Sequence, residues 1–267
     1  MQLAEQRHQR ILTQLSRAGS LRTSELALAL DISEMTIRRD LLELEAKNLL
    51  QRVHGGAVLQ LSPQDEYVSR NTEFAPEKAA IAEKVVERLL ILQNEDKAMR
   101  VIYLDAGTTA MEVARAICAE NALKPMTIVT HAINIAAFLA GQSCHRLHVI
   151  GGEIYQNTFS SFGNQAMKSI HLLHFDLFIM GASGFNETSF MNTNYVEISV
   201  KHAVLEKSAQ VWMMVNSAKW QSNFAVICAY EAIHKLFIGP VAHPLQKEIS
   251  KQFPHLEMVL CAAEKEL

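Results

Sequence analysis

Cysteine is scarce in this chain: Cys118, Cys144, Cys228 and Cys261 stand far apart in 267 residues, with no C-x-x-C spacing and no neighbouring histidine pair. That excludes a disulfide-stapled scaffold and a cysteine zinc site, so free buried thiols and no metal are expected. Six prolines and eleven glycines are too few for a collagenous or low-complexity chain. No apolar run approaches the roughly 20 residues that cross a bilayer, and the opening MQLAEQRHQRILTQL is amphipathic rather than a signal peptide. A cytoplasmic protein with no membrane association is expected. An excess of one charge is lacking too, the net charge being −3. What is present is the 49% apolar, 20% charged mixture of an ordinary globular protein, at a length that suits a small domain joined to a larger one. Residues 1–60 hold eight Lys/Arg against seven Asp/Glu, and the remainder seventeen against twenty-one. So faint an asymmetry leaves any nucleic-acid reading to rest on where the arginines sit.

Ile11, Leu12 and Leu15 mark an opening helix that stops at Ala18-Gly19-Ser20. TSELALALDIS reads as a second, short helix, capped by Thr23 or Ser24 and followed by the turn Asp31-Ile32-Ser33. Ser33 then caps a third helix, in which Ile37, Leu41 and Leu44 fall at i, i+4 and i+7. That spacing turns Met35, Thr36 and Arg39 outward, with Arg38 on the flank. A helix with a cationic N-terminal half suits the major groove, where an arginine fork grips guanine or phosphate and a threonine reaches a phosphate or a thymine methyl. LLQRVHGGAVL follows as two short strands around Gly55-Gly56, a wing that places Arg52 and His54 to touch DNA. Periodicity alone leaves open a plain helical bundle with a solvated arginine face.

The run SEMTIRRDLLELEAKNLLQRVHGGAV resembles, in residue types and spacing, the DNA-binding signature of the DeoR-type bacterial transcriptional repressors. The resemblance implies DNA contacts from Thr36, Arg38 and Arg39, beside Ser33, Arg52 and His54 of the same winged helix-turn-helix, and a bracing role for Asp40.

From Leu61 to Pro76 periodicity fades and polar residues accumulate, so a linker is expected over 61–76 between a 1–60 domain and a 77–267 domain. Beyond it, apolar runs alternate with helical patterns: VIYL (101–104), TIVT (127–130), LHVI (147–150), DLFIM (176–180), QVWMMV (210–215) and KLFI (235–238). This predicts an α/β domain with a mainly parallel sheet. Ligands of such sheets bind beyond the carboxyl ends of the strands. There LDAGTTAMEVARAI puts Asp105 at a strand end, Gly107 in a tight turn, and Thr108 and Thr109 at a helix N-terminus, which favours a phosphate. A simple capped strand-to-helix turn is the other reading of these residues. Thr130-His131, Gly151-Gly152 and Gly181–Gly184 end further strands, and Lys219 follows the strand at 210–215. His131 is either a ligand donor with mild pH sensitivity or a hydrogen-bonded structural group.

LDAGTT, VTHAINIAAFLA, VIGGEIYQNTFSSFG, FDLFIMGASGF, VEISVKHAVL and VNSAKW occur in the order and spacing of the sensor domain of the same family. The resemblance thus covers nearly the whole chain. It implies a fold similar to sugar-phosphate isomerases, no catalytic function and no cofactor, and a phosphorylated sugar or related effector held by Asp105, Gly107, Thr108, Thr109, Thr130 and Lys219. Lys78, Gly151, Gly152 and Glu197 join them as effector-binding candidates. A repressor of carbohydrate genes, released from double-stranded operator DNA by that effector and assembled as a homo-oligomer (dimer or tetramer), is expected. The alternatives are a sugar-phosphate isomerase-like enzyme with Asp105 and Glu197 as candidate bases, and a regulator whose sensor no longer binds an effector. The family's usual D-x-S-K stands here as Asn216-Ser217-Ala218-Lys219, its T-N as Thr130-His131, and its G-[LIV]-[TS] as Ser189-Phe190-Met191.

Overall fold

The first three helices, α1 (Ala4–Ala18), α2 (Thr23–Leu30) and α3 (Glu34–Ala46), bury one apolar stripe each. Ile11 and Leu15, Leu26 and Leu30, and Ile37, Leu41 and Leu44 meet in a common core, each contributing roughly 1.5–3 kcal/mol by leaving water. The computed structural model describes residues 4–47, 49–59, 63–95, 100–142, 145–220, 225–240 and 243–262, in two compact units, residues 1–66 and 67–267. Cys144 and residues 61–62 of the expected linker lie outside the described residues.

In the first unit Ser33 caps α3, its Oγ accepting from the Thr36 N–H at 3.2 Å. Helix α2 is capped otherwise than expected: Thr23 is already helical, the cap is Arg22, and the Arg22 N–H donates to Glu25 at 2.7 Å. The reason is that β1 (Ser20–Arg22) pairs with the wing, which fixes Arg22 in an extended conformation just before the helix. The wing strands β2 (Leu50–Val53) and β3 (Gly56–Leu59) are antiparallel, with β3 between β1 and β2. A Cβ at Gly56 would lie 2.3 Å from the Leu21 carbonyl oxygen, so only glycine lets β1 approach.

Residues 63–72 form a helix, α4 (Pro63–Thr72), and α5 (Ala75–Asn94) begins two residues after it ends. The stretch 61–76, expected as a linker, is thus helical over 63–72. Its polar sequence hides the one face that packs, through Tyr67 on Phe159 at a ring distance of 5.4 Å.

The second unit carries β4 (Val101–Leu104), α6 (Thr108–Ala119), β5 (Thr127–Thr130), α7 (Ile133–Gln142), β6 (Arg146–Val149), the hairpin β7 (Glu153–Tyr155) and β8 (Ser160–Phe162), and α8 (Gly163–His171). Then come β9 (Phe175–Gly181), β10 (Gly184–Phe185), β11 (Ser189–Asn192), α9 (Tyr195–Glu206), β12 (Ser208–Val215), β13 (Ala225–Ala229), β14 (Lys235–Ile238), α10 (His243–Gln252) and β15 (Glu257–Leu260). A seven-stranded parallel sheet runs β15-β14-β12-β9-β4-β5-β6. All six expected strands are in it, and β15 is an addition at one edge. Both faces are covered: Ile102 and Leu104 of β4 enter one core with α5, α6 and α7, while Tyr103 enters the other with α8, α9 and α10. From β4 the chain proceeds to β5 and β6 on one side, then returns to β9, β12, β14 and β15 on the other. The crevice of this reversal lies between the carboxyl ends of β4 and β9, where ligands of open α/β sheets bind. Strands β10, β11 and β13 form a separate antiparallel sheet. Cys261 is buried and Cys118 and Cys228 are half-buried, all three as free thiols.

Candidate functional site

On α3 of the first unit, Arg38 and Arg39 are 70% and 81% exposed, and each reaches a glutamate one turn away, Glu34 at 3.2 Å and Glu43 at 3.3 Å. Thr36 is half-buried and shares a 2.9 Å hydrogen bond with the exposed Ser33. Arg52 and His54 are exposed on the wing, and the Arg52 N–H donates to Glu45 at 2.9 Å. Behind this surface Asp40 is buried and takes the Arg7 guanidinium on both oxygens, at 2.5 and 2.7 Å, with His8 Nε2 3.3 Å away. Burial alone would raise the Asp40 carboxyl, but the Arg7 fork and charge, helped by His8, outweigh it and hold it below the usual range. Asp40 thus clamps α3 to α1.

In the second unit, Asp105 stands at the end of β4 beside Gly181 at the end of β9. Its Oδ2 accepts from the Gly181 N–H at 2.9 Å and from Lys201 Nζ, while Lys201 also donates to the Gly181 carbonyl at 2.9 Å. Gly107, at φ 107°, turns the chain into α6 and has no side chain to cap it, so the first-turn N–H groups around Thr108 and Thr109 have no partner within the helix. Thr130 is buried, with its Oγ1 accepting from the Ala132 N–H at 3.1 Å. Lys219 Nζ donates to the Ala182 carbonyl at 2.5 Å, and Lys78 Nζ donates to the Arg70 carbonyl. Burial lowers Lys78 against the pull of Glu73 and Glu112, and burial together with Lys78, Lys201 and Arg70 lowers Lys219 to about 8. Several cations therefore crowd one place. Among the described residues, Asp105 Oδ1, Thr109 Oγ1, Asn216 Oδ1 and Asn71 Oδ1 are buried polar atoms without a hydrogen-bond partner, which costs free energy.

His131 is buried beside Tyr103, the two sharing a 2.8 Å hydrogen bond, and burial lowers its pKa. Glu197 is half-buried and accepts from Asn192 at 2.7 Å. Gly151 and Gly152 are exposed in the loop leaving β6, beyond β5 in the sheet. Ser189 directs its N–H and hydroxyl to Asn186, in the turn between β10 and β11. Sequence reasoning missed Lys201 and Arg70 as members of the cluster. Lys201 reads as a surface residue of an amphipathic helix, and only its pairing with Asp105, 96 residues earlier, reveals it.

Two family models match this chain: the DeoR-like helix-turn-helix domain over residues 7–62 and the DeoR C terminal sensor domain over residues 73–239. The chain belongs to the DeoR family of DNA-binding transcriptional regulators, and not to an enzyme family. It is 30% identical to a glycerol-3-phosphate regulon repressor of Haemophilus influenzae over 258 residues, 96% of each chain. It is 28% identical over 220 residues to a lactose phosphotransferase system repressor of Staphylococcus epidermidis, 80% of this chain and 83% of that one. Among solved structures, ribose 5 phosphate isomerase A of Neisseria gonorrhoeae aligns with 55% of this chain and 53% of its own, at 15% identity and a TM-score of 0.39. No helix among the described residues is long and apolar enough to cross a membrane.

Proposed function

We propose that this regulator represses carbohydrate genes and leaves its operator when a phosphorylated sugar or a related metabolite occupies the second unit. The observation that carries the reading is the conjunction of depressed, crowded lysines with an uncapped helix N-terminus and the unpartnered Thr109 hydroxyl at the sheet's reversal point. A phosphate dianion supplies what that arrangement lacks, accepting from backbone N–H groups, hydroxyl and ammonium together.

In this reading the 1–60 domain meets operator DNA through Ser33, Thr36, Arg38, Arg39, Arg52 and His54. The 77–267 domain takes the effector on Lys78, Asp105, Gly107, Thr108, Thr109, Thr130 and Lys219, with Glu197, Gly151 and Gly152 at its margin. The protein works in the cytoplasm as a homo-oligomer, because one recognition helix reads only a few base pairs and two-fold pairing doubles the contacts. Asn216, where the family carries a carboxylate, shifts selection at the sugar end while leaving the phosphate anchor intact.

The test is a melting screen of phosphorylated sugars, sugar acids, amino sugars and glycerol 3-phosphate, with Thr109→Glu as the blocked control. A ligand at 100 times its dissociation constant adds about 2.7 kcal/mol of stability. At least one phosphorylated compound is expected to raise the melting temperature of the wild type and not of the variant; no shift with any of them would leave a regulator that does not sense.

A further inference from the structure

Helix α4 joins the two units, and its polar sequence suits a spacer. Its contacts suit something else. Tyr67, Arg70 and Asn71 are spaced i, i+3 and i+4 and therefore share one face. Tyr67 packs edge-on against Phe159, and the Arg70 guanidinium lies 6.0 Å from the centre of the Tyr67 ring. Asn71 Oδ1 is buried without a partner, as are Asp105 Oδ1 and Thr109 Oγ1 of the cluster. The Arg70 guanidinium donates to the Asn157 carbonyl at 2.5 Å, and the Arg70 carbonyl in turn accepts from buried Lys78. The Arg70 charge also bears on both Lys78 and Lys219.

We propose that α4 is a wall of the effector site, with Arg70 as a phosphate-binding residue, and that an anion arriving there re-seats α4. The inference rests on the phosphate reading of the preceding section. A phosphate oxygen is a stronger acceptor for a guanidinium or an ammonium than a neutral main-chain carbonyl. An incoming dianion therefore draws Arg70 from Asn157 and Lys78 from Arg70. Both of these bonds hold α4 to the second unit, so exchanging them for bonds to the anion changes the seat of the helix that leads to the DNA-binding unit. Coupling of two sites requires an element whose equilibrium both of them bias, and the proposal gives that part to α4.

The experiment uses the full chain with inorganic phosphate and glycerol 3-phosphate as probes, measuring binding by calorimetry and amide hydrogen exchange across residues 63–74. Arg70→Gln is expected to weaken binding by roughly tenfold or more, as for loss of a charge-assisted hydrogen bond, and Arg70→Lys to restore part of it. Saturating the wild type is expected to change the exchange pattern of α4. If Arg70→Gln binds both probes as the wild type does while Thr109→Glu binds neither, the role of Arg70 is overturned and the phosphate site stands. Unchanged exchange on saturation overturns the re-seating of α4. If the wild type binds neither probe at millimolar concentration, the phosphate reading falls and this inference with it. Circular dichroism of Arg70→Gln and Arg70→Lys separates lost binding from lost folding.

Discussion

The cations of the two units carry the same charge into opposite surroundings. Arg38 and Arg39 stand in solvent with glutamates one helical turn away, whereas Lys78 and Lys201 are buried and lean on main-chain carbonyls or on one buried carboxylate. Exposed ion pairs are worth little and are screened by salt, so the arginines exchange partners at small cost and suit a polyanion that displaces counterions. The buried lysines have already lost their hydration. They are fixed and suited to one small anion of matching shape. Position, more than composition, divides the labour between the units.

The comparison breaks most sharply at Asp105. Asp105→Ala leaves Lys201 buried without its carboxylate, and a loss of about 3–5 kcal/mol in the stability of the second unit is expected by thermal or denaturant unfolding. Arg39→Ala should do the reverse, costing about 1–3 kcal/mol of operator affinity in a footprinting titration while moving stability by no more than about 0.5 kcal/mol. An equal loss of stability in the two variants would erase the distinction.

Protonation sharpens the contrast. With its pKa lowered to about 8, Lys219 is charged in the folded chain only below that value. Its burial therefore costs stability below pH 8, and the cost is relieved as pH rises from 8 toward the ordinary lysine value. Anion binding runs the other way, because it needs the charged lysine. Affinity for a phosphate monoester, dianionic above its own pKa of about 6, should fall about tenfold between pH 7 and 9, and Lys219→Gln should flatten that profile in calorimetry. The smallest effect belongs to the exposed pair. Glu43→Gln should change stability by about 0.3–0.5 kcal/mol and raise DNA affinity slightly by removing a negative charge next to Arg39.

How far the sequence could be read follows the same division. The recognition helix was legible because its information is local: a cap at Ser33, an apolar stripe at Ile37, Leu41 and Leu44, and arginines between them. The strands of the parallel sheet were legible as apolar runs, and the Asp105 to Thr109 turn as a strand end meeting a helix start. What stayed hidden depends on distant partners. Strand β15 is a half-buried edge strand, α4 has a single packing face, and β10 is too short to show a period. Lys201 gains its meaning only from Asp105, and Arg70 only from Asn157 and Lys78.

The central claim is that filling the second unit empties the first of DNA. Its most direct test is operator affinity of the full chain, measured at fixed salt and pH with and without the phosphorylated compound that raises the melting temperature most, in the wild type and in Thr109→Glu. The account predicts roughly 5–150-fold weaker DNA binding by the wild type when the compound is present, the range of a coupling of about 1–3 kcal/mol, and no change in the variant. Operator affinity unaltered by a compound that demonstrably stabilises the wild type would contradict it.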